Sequence, residues 1–380
     1  MTAGLDRRDQ AIDLVRGAAL LTIFVNHVPG TVFEGFTHRN FGLSDATEIF
    51  VLLAGYAAAM AYGRGFQGDR GLALSLKSWS RAAQIYVAHL VCLLIAFAAV
   101  GFLSLRTGDP RFLSWVDLAP IFDDPTVALL GVMTLGHQPG YFNILPMYVV
   151  LMLALPGMLA LGRRAPGWLL GLSLGLWLAA NLWFLNLPNY PNDTSWFFNP
   201  LAWQLLFALG LLLRLERRRI AVWARACEGW AIPLAAGYLF LCLGMKLVGF
   251  AVEPDMLPLP FFIVGDDKTY LSLPRMLHVL ALAYLATRGQ FWQRIGAFAA
   301  NHVPGRGMAL LGRHGLSTFA VGSVLSILGQ IAHFYTDGRI LPDAIILGTG
   351  IVIMLGLAAM VEWQKRTLRR AAPAYPVSPG

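Results

Sequence analysis

Charged residues are scarce in this sequence. Asp, Glu, Lys and Arg make up 13% of its 380 residues, whereas soluble domains carry about 25%. Hydrophobic types make up 57% and the mean hydropathy is +0.60, which excludes a water-soluble globular protein. The 39 glycines and 21 prolines follow no period and accompany 23 phenylalanines and 11 tryptophans, so collagen-like and disordered chains are excluded as well. The composition predicts a polytopic membrane protein.

Cysteines are also few, and the common metal-binding and nucleotide-binding motifs are missing. Cys92 and Cys242 lie in apolar runs and Cys227 in a basic stretch, which indicates free thiols and not disulfides or zinc ligands. The sequence contains no GxxxxGK[ST], HExxH or CxxC motif, and no two of its eight histidines are four residues apart. We therefore expect no metal site and no permanently bound cofactor.

Long apolar runs, in contrast, are abundant. A transmembrane helix needs about 20 mostly apolar residues, and ten stretches meet or approach that length: 11–28, 46–63, 82–103, 141–161, 167–186, 200–213, 230–250, 272–287, 312–334 and 341–362. We predict an all-α integral membrane protein with about ten transmembrane helices in one bundle. We expect a single domain over residues 1–380, with a transmembrane core at about 11–363 and short cytoplasmic tails. The apolar piece Val127 to Leu135 is a candidate re-entrant segment.

The distribution of basic residues predicts the orientation, since cytoplasmic loops of membrane proteins keep the excess of Lys and Arg. With ten crossings, an inside N-terminus places most of the 29 basic residues in the cytoplasm, among them the run Arg217 to Arg219. We therefore predict an N-in, C-in topology. The net charge of +8 follows from this rule, so we expect no nucleic-acid partner.

The first predicted helix carries an arginine and a histidine at a spacing that suits one face. Arg16 and His27 are eleven positions apart, which is about 1100° of helix, or roughly 20° past three full turns, and a rise of about 16 Å. Polar groups at membrane depth mark functional sites by default. The alternative is that Arg16 snorkels to the membrane surface with Asp13 as its partner, and that His27 is an ordinary interfacial histidine.

The second predicted helix begins with two acids. Asp45 and Glu48 stand at the N-cap and N3 positions, which predicts a capping box with both carboxylates favoured by the helix dipole. The functional alternative is that one of them orients the His27 ring and stabilises the imidazolium that forms when it takes a proton. The two roles are compatible.

Two further helices carry polar groups that positive-inside topology explains only in part. Lys77 and Arg81 precede the third span on its cytoplasmic side, and His89 lies about 12 Å further along. Arg275 and His278 are one turn apart near the outer end of the eighth span. We treat these five residues as candidates for binding an anionic substrate, with Arg275 as a candidate ligand for a carboxylate.

The outer connections around residues 141–148 and 186–204 combine aromatic rings with amides. Such side chains suit stacking on sugars and hydrogen bonding to them, which makes Asn143, Asn199, Trp203 and Gln204 candidates for binding a sugar. The alternative is an interfacial aromatic belt in which Asn199 and Pro200 are the cap and first turn of a helix.

An ordered set of motifs resembles a known family. The motifs are R-x(10)-H from Arg16 to His27, RDxxIDxxRG, GLSDATEIFVLLAGY, SWSRAAQIYVAHL, YFNILPMYVVLML, FFNPLAWQLLFALG and LGRHGLSTFAV. R-x(10)-H is similar to the pattern of the membrane acyltransferase-3 superfamily, and the whole set, from about residue 6 to 363, resembles the OpgC family within it. That family comprises the membrane succinyltransferases of osmoregulated periplasmic glucans.

The resemblance implies ten helices in the bacterial inner membrane and transfer of an acyl group from cytoplasmic acyl-CoA, with succinyl-CoA as the expected donor, to hydroxyls of a periplasmic glucan. By it, His27 corresponds to the catalytic histidine and Arg16 to the arginine of the same motif. The sequence departs from the family pattern at Asn143, where many relatives carry an acid, and at Gln84, where the superfamily has a second arginine after Arg81.

Two questions stay open at this point. His27 acts either as a general base or through an acyl-histidine intermediate, and sequence does not separate the two. The competing functional class is a transporter or flippase of a sugar or organic anion, in which the intramembrane His and Arg residues form a relay. Transporters of this kind often show inverted repeats, and we see none.

Overall fold

The structure is a computed structural model that describes residues 10–63, 65–66, 68–109, 111–115, 117–191, 194–253, 256–336 and 338–371. Most of the predicted cytoplasmic tails lies outside the described residues, including Arg8 and Asp9 of the RDxxIDxxRG motif. The helices are α1 Gln10–Asn26, α2 Ala46–Tyr62, α3 Gly68–Thr107, α4 Arg111–Trp115, α5 Ala119–Asp123, α6 Pro125–Met133, α7 Ile144–Arg164, α8 Pro166–Leu182, α9 Pro200–Leu215, α10 Arg217–Ala226, α11 Glu228–Leu247, α12 Phe261–Val264, α13 Leu273–Ala286, α14 Phe291–Asn301, α15 Val303–Arg313, α16 Gly315–Phe334 and α17 Ile340–Ala371.

Besides α-helices and loops, the described residues form only two short 3₁₀ helices and two short strands. Two short 3₁₀ helices, Val32–Phe36 and His38–Asn40, connect α1 to α2. Strands β1 Pro188–Asn189 and β2 Thr194–Ser195 pair antiparallel. The class predicted from composition, an all-α membrane protein, is confirmed.

Each of the ten predicted spans overlaps a helix: α1, α2, α3, α7, α8, α9, α11, α13, α16 and α17. Five of them, α3, α7, α11, α16 and α17, are long and apolar enough to cross a membrane, whereas α2, α8, α9 and α13 are shorter apolar helices. The count of ten crossings and the orientation therefore stay predictions. The candidate re-entrant piece coincides with α6, a helix of 9 residues.

The chain separates into two compact units. We name residues 1–32 and 292–380 the terminal unit, and residues 33–291 the central unit. The prediction of a single domain is not tested by this division and stays a prediction.

In the terminal unit, α1 packs against α15 and α16, and α16 packs against α17. The contact between α1 and α15 is a direct approach of two backbones. A Cβ atom added to Gly17 would lie 1.8 Å from the carbonyl oxygen of Met308, and one added to Gly312 would lie 1.8 Å from that of Asp13. Only glycine permits such an approach, as in small-residue contacts between membrane helices generally.

In the central unit, α2 packs on α9, α3 on α7, α8 on α9, and α11 on α13. Hydrogen bonds reinforce the contact between α3 and α7, because Ser78 donates to the carbonyl of Met152 at 2.7 Å and Trp79 to that of Leu153 at 3.2 Å. These packed helices bring the start of α2 close to the start of α13, where the polar groups of this unit lie.

Candidate functional site

In the terminal unit, His27 follows directly after α1 and is half-buried. Its backbone N–H continues the helical pattern by donating to the carbonyl of Ile23 at 3.0 Å. It contributes to a small pocket of about 10 Å³, roughly the space of one water molecule, whose other lining residues come from α1, α16 and α17: Leu20, Ile23, Phe24, Thr318, Phe319, Gly322, Ser323 and Met354. The pocket is mostly apolar, so a base placed on its wall is only partly exposed to water.

Arg16 also lies on the side of α1 that faces α16. A Cβ atom added to Gly315, the first residue of α16, would lie 3.0 Å from Nη2 of Arg16. Because His27 lines a pocket with residues 318–323 of the same helix, both members of the R-x(10)-H pair are directed to α16. This agrees with the one-face geometry that the spacing predicts.

A cluster of charged groups lies where α15 meets α16, around the carboxylate of Glu362 on α17. His314 Nε2 is 2.9 Å from Oε2, while Arg366 Nε donates to Oε1 at 2.9 Å and Arg313 Nη1 to the same oxygen at 3.4 Å. Lys365 Nζ is 3.4 Å from His314 Nδ1. The sequence analysis did not single out this set, since its members come from α15, from α17 and from His314 between α15 and α16.

The two nitrogens of the His314 ring face groups of opposite charge. Nε2 faces the Glu362 carboxylate, to which it donates, and Nδ1 faces the Lys365 ammonium, from which it accepts, as a neutral imidazole can. Arg313 also lies 3.8 Å from Asp13. Among the described residues of this neighbourhood, four cations, counting Arg16, accompany two acids, and an excess of cations attracts anions.

In the central unit, the predicted capping box at the start of α2 is confirmed. Asp45 Oδ1 accepts from the backbone N–H of Thr47 at 2.7 Å, and Glu48 Oε2 accepts from that of Asp45 at 2.8 Å. Glu48 is 0% exposed. A fully buried carboxylate needs a partner of opposite charge.

Arg275 at the start of α13 is that partner. Its Nε donates to Glu48 Oε1 at 2.7 Å, and its Nη2 lies 2.7 Å from the same oxygen and 3.7 Å from Asp45 Oδ2. Lys268 donates to the same oxygen of Asp45. The cluster thus contains two acids and two cations, and each charge is compensated.

These neighbours fix the ionisation of Asp45. Burial alone would raise the pKa of its carboxyl, but the cations Lys268 and Arg275 outweigh that effect and hold the pKa well below the usual value of 3.8. A carboxylate with so low a pKa is a poor proton acceptor at neutral pH. Its contribution to a reaction is therefore electrostatic.

A serine–histidine contact lies beside this cluster. Ser44 Oγ is 2.7 Å from Nδ1 of His278 and 3.5 Å from Nε2 of His38, and the two rings stack with centroids 5.8 Å apart. Ser44 and His278 are 1% and 2% exposed. The sequence analysis included His278 but did not single out Ser44, which directly precedes the predicted N-cap, or His38, which begins the second 3₁₀ helix.

The candidates on α3 lie apart from one another along the helix. Lys77 Nζ is 5.7 Å from the centroid of the Tyr62 ring, and Arg81 Nη1 donates to Gln84 Oε1 at 3.0 Å. Gln84 therefore serves as a partner of Arg81 at the position where the superfamily pattern has an arginine. His89 is 0% exposed, and neither of its ring nitrogens has a hydrogen-bond partner among the described residues.

The candidate sugar-binding residues mostly contact backbone groups. Asn199 caps α9 and donates to the carbonyl of Leu185 at 2.7 Å, and Gln204 donates to that of Ser173 at 2.8 Å. Trp203 is 0% exposed, and its indole donates to the carbonyl of Lys268 at 3.0 Å. The Trp203 ring is therefore not open to a sugar in this conformation, and Gln204 connects α9 to α8. The role of these three residues in sugar binding stays a prediction. Asn143 precedes α7 and makes no capping bond with its side chain.

One motif that the sequence analysis missed is G-x-S-x-G, which occurs from Gly171 to Gly175. The serine of an esterase nucleophile elbow sits on a tight turn between a strand and a helix. Here the motif lies inside α8, so it does not form such an elbow.

Comparison with known proteins agrees with the resemblance. A family model described as OpgC protein matches residues 8–366, which is nearly the whole chain and includes every candidate residue above. Neither the curated proteins nor the solved structures gave a match.

Proposed function

The chain belongs to the OpgC family, whose model spans residues 8–366, and from this membership we propose that it is a membrane O-acyltransferase acting on a periplasmic glucan. The donor is acyl-CoA from the cytoplasm, with succinyl-CoA as the proposed species, and the acceptors are glucan hydroxyls. The family match is the observation that carries the proposal. The position of His27 on the wall of a pocket is consistent with it.

The proposal includes a topology. Ten helices cross the bacterial inner membrane with both termini in the cytoplasm, and the acceptor site faces the periplasm. Support comes from the ten predicted spans, each of which overlaps a helix, and from the positive-inside rule applied to the connections. In this arrangement Arg16 lies near the cytoplasmic surface and His27 near the periplasmic one.

The phosphates of acyl-CoA require cations on the cytoplasmic side. We place Arg16 and the group of Arg313, Lys365 and Arg366 in this role, because cations outnumber acids among the residues described there. Arg81 and Lys77 on α3 remain further candidates. The thioester end of the donor extends from this basic region toward His27.

In the proposed reaction His27 is the general base. It takes the proton of a glucan hydroxyl while the hydroxyl oxygen attacks the thioester carbonyl; the new C–O bond forms, the C–S bond breaks, and the CoA thiolate leaves and is protonated. General-base assistance of this kind is typically worth about 10²- to 10⁴-fold in rate. The sequence-based alternative that Asp45 or Glu48 stabilises the imidazolium stays a prediction. An acyl-histidine intermediate is the rival mechanism, and it predicts acyl-CoA hydrolysis without glucan.

A succinyl group adds a second requirement, because its distal carboxylate needs a cation. Arg275 is the proposed ligand, and Lys268, whose side chain is 24% exposed, is the more accessible neighbour. Both cations already have acid partners. The carboxylate would therefore join an existing network, and the preference for succinyl-CoA over acetyl-CoA is expected to be moderate.

The test uses His27→Ala together with His302→Ala, a matched control because His302 is an exposed histidine of the same unit. Purified protein is incubated with glucan and either succinyl-CoA or acetyl-CoA, and free CoA and glucan ester are measured. We expect His27→Ala to lose at least about 10²-fold of the transfer rate and the control to keep it. Wild-type protein that moves glucan or anions across vesicles without releasing CoA would identify a transporter instead.

A further inference from the structure

The backbone segment that follows α1 is held by α16. His27 lies just beyond the last residue of α1, where helix carbonyls lack partners within the helix. Its carbonyl oxygen accepts a hydrogen bond from Nε2 of Gln330 at 2.7 Å. The amide of Gln330 therefore fixes the backbone of the residue that carries the proposed base.

The side chain of His333 packs close to the same segment three residues later. Gly30 has φ +90, and a Cβ atom added there would lie 2.9 Å from Nε2 of His333. His333 stands three residues after Gln330 on α16, so both side chains project from neighbouring turns of one helix face. The turn from His27 to Gly30 is thus hydrogen-bonded to Gln330 at one end and packed against the His333 ring at the other.

The His333 ring is itself oriented by an acid. Its Nδ1 lies 2.6 Å from Oδ1 of Asp343, a residue of the first turn of α17 that is 0% exposed. Thr336 reaches the same oxygen at 3.4 Å, and Oδ2 of Asp343 is buried with no hydrogen-bond partner among the described residues. The bond to His333 is the shortest contact of this carboxylate, and it sets the direction in which the ring faces.

We propose that Gln330, His333 and Asp343 are positioning residues for His27. They hold the turn after α1 so that the His27 imidazole stays on the wall of its pocket at the angle needed to take a proton. This inference rests on the proposed acyl transfer. Its physical basis is that a displacement of about 1 Å at a reacting group costs on the order of 10²-fold in rate, while substrate binding elsewhere is unaffected.

The experiment measures kcat and the KM for acyl-CoA, per folded protein, in Gln330→Met, Asp343→Leu and Asp343→Asn. The control is Ser326→Ala, because Ser326 is a buried residue of α16 whose hydroxyl, within the described part of the chain, donates to the carbonyl of Ser323 one turn earlier. We expect Gln330→Met to lower kcat by about 10- to 100-fold with KM changed less than about threefold. Asp343→Asn should retain more activity than Asp343→Leu, since its amide oxygen still accepts a hydrogen bond from the ring.

Combination with His27→Ala gives the decisive result. If these residues act through His27, adding Gln330→Met to His27→Ala lowers the residual rate no further. Losses that multiply, or a rise in KM with unchanged kcat, would overturn the positioning role. If Gln330→Met does not fold, Gly30→Ala perturbs the same turn from the opposite side and must show the same pattern. Absence of acyl transfer by the wild-type protein would instead refute the proposed function.

Discussion

The buried ion pair between Glu48 and Arg275 gives the sharpest prediction about stability. Replacing Arg275 by Met removes both guanidinium contacts of 2.7 Å to Glu48 Oε1. Glu48 is 0% exposed and keeps only its bond from the Asp45 backbone, while Lys268 is already bonded to Asp45. The carboxylate is left buried without a cation, which costs about 3–5 kcal/mol of unfolding free energy.

The double variant Arg275→Met/Glu48→Gln separates this cause from simple loss of packing. Glutamine removes the charge but its amide oxygen still accepts the bond from the Asp45 backbone. We expect the double variant to be more stable than Arg275→Met alone by about 2 kcal/mol. The assay is denaturant unfolding in detergent micelles, followed by tryptophan fluorescence.

Arg219→Met is the matched control, because Arg219 pairs with Glu216 at 3.4 Å but its side chain is 82% exposed. Exposed pairs of this kind contribute about 0–1 kcal/mol. An Arg275→Met protein as stable as the control, or a double variant less stable than Arg275→Met, would show that burial does not set the energy of this pair.

Two further predictions concern other parts of the fold. The pKa of Asp45 is lowered in the folded state, so its stabilising contribution is complete above the unfolded pKa of about 3.9 and is lost as pH falls below it. Unfolding midpoints measured from pH 7 down to pH 3 should therefore fall less steeply in Asp45→Asn, and equal slopes would contradict the assignment. Gly312→Ala should lose folded protein because its Cβ would lie 1.8 Å from the Asp13 carbonyl, whereas Gly307→Ala on the same helix meets nothing closer than 3.4 Å and should gain up to about 1 kcal/mol. The yield from size-exclusion chromatography and the melting temperature are compared for the two glycine variants. Equal yields of Gly312→Ala and Gly307→Ala would exclude the backbone contact between α1 and α15.

Features encoded within one or two turns of helix were predictable from the sequence. The capping box of Asp45 and Glu48 depends on residues three positions apart, and it is found as expected. Apolar runs likewise located ten helices. The third predicted span, 82–103, is shorter than α3, Gly68–Thr107, because hydropathy detects the apolar part and the helix continues through the polar residues before it.

Partners distant in sequence were not predictable. Arg275 and Glu48 are 227 residues apart, and Ser44 and His278 are 234 apart. Their pairing depends on how α2 and α13 pack, which a hydrophobicity pattern does not specify. Trp203 shows that residue type alone does not distinguish a binding residue from a core residue. A tryptophan ring suits a sugar, but it is equally suited to a buried site where its N–H donates to a carbonyl.

The two clusters of charge differ in a way that bears on how an anionic donor is bound. In the central unit Asp45 and Glu48 balance Lys268 and Arg275, so an incoming anion would have to compete with a partner already in place. In the described part of the terminal unit the cations around Glu362 outnumber the acids, and the Arg366 side chain is 65% exposed. Binding energy from charge is therefore available mainly in the terminal unit. If acyl-CoA is held by its phosphates, the salt dependence of its KM should arise from Arg313, Lys365 and Arg366, because screening acts most strongly on exposed charges.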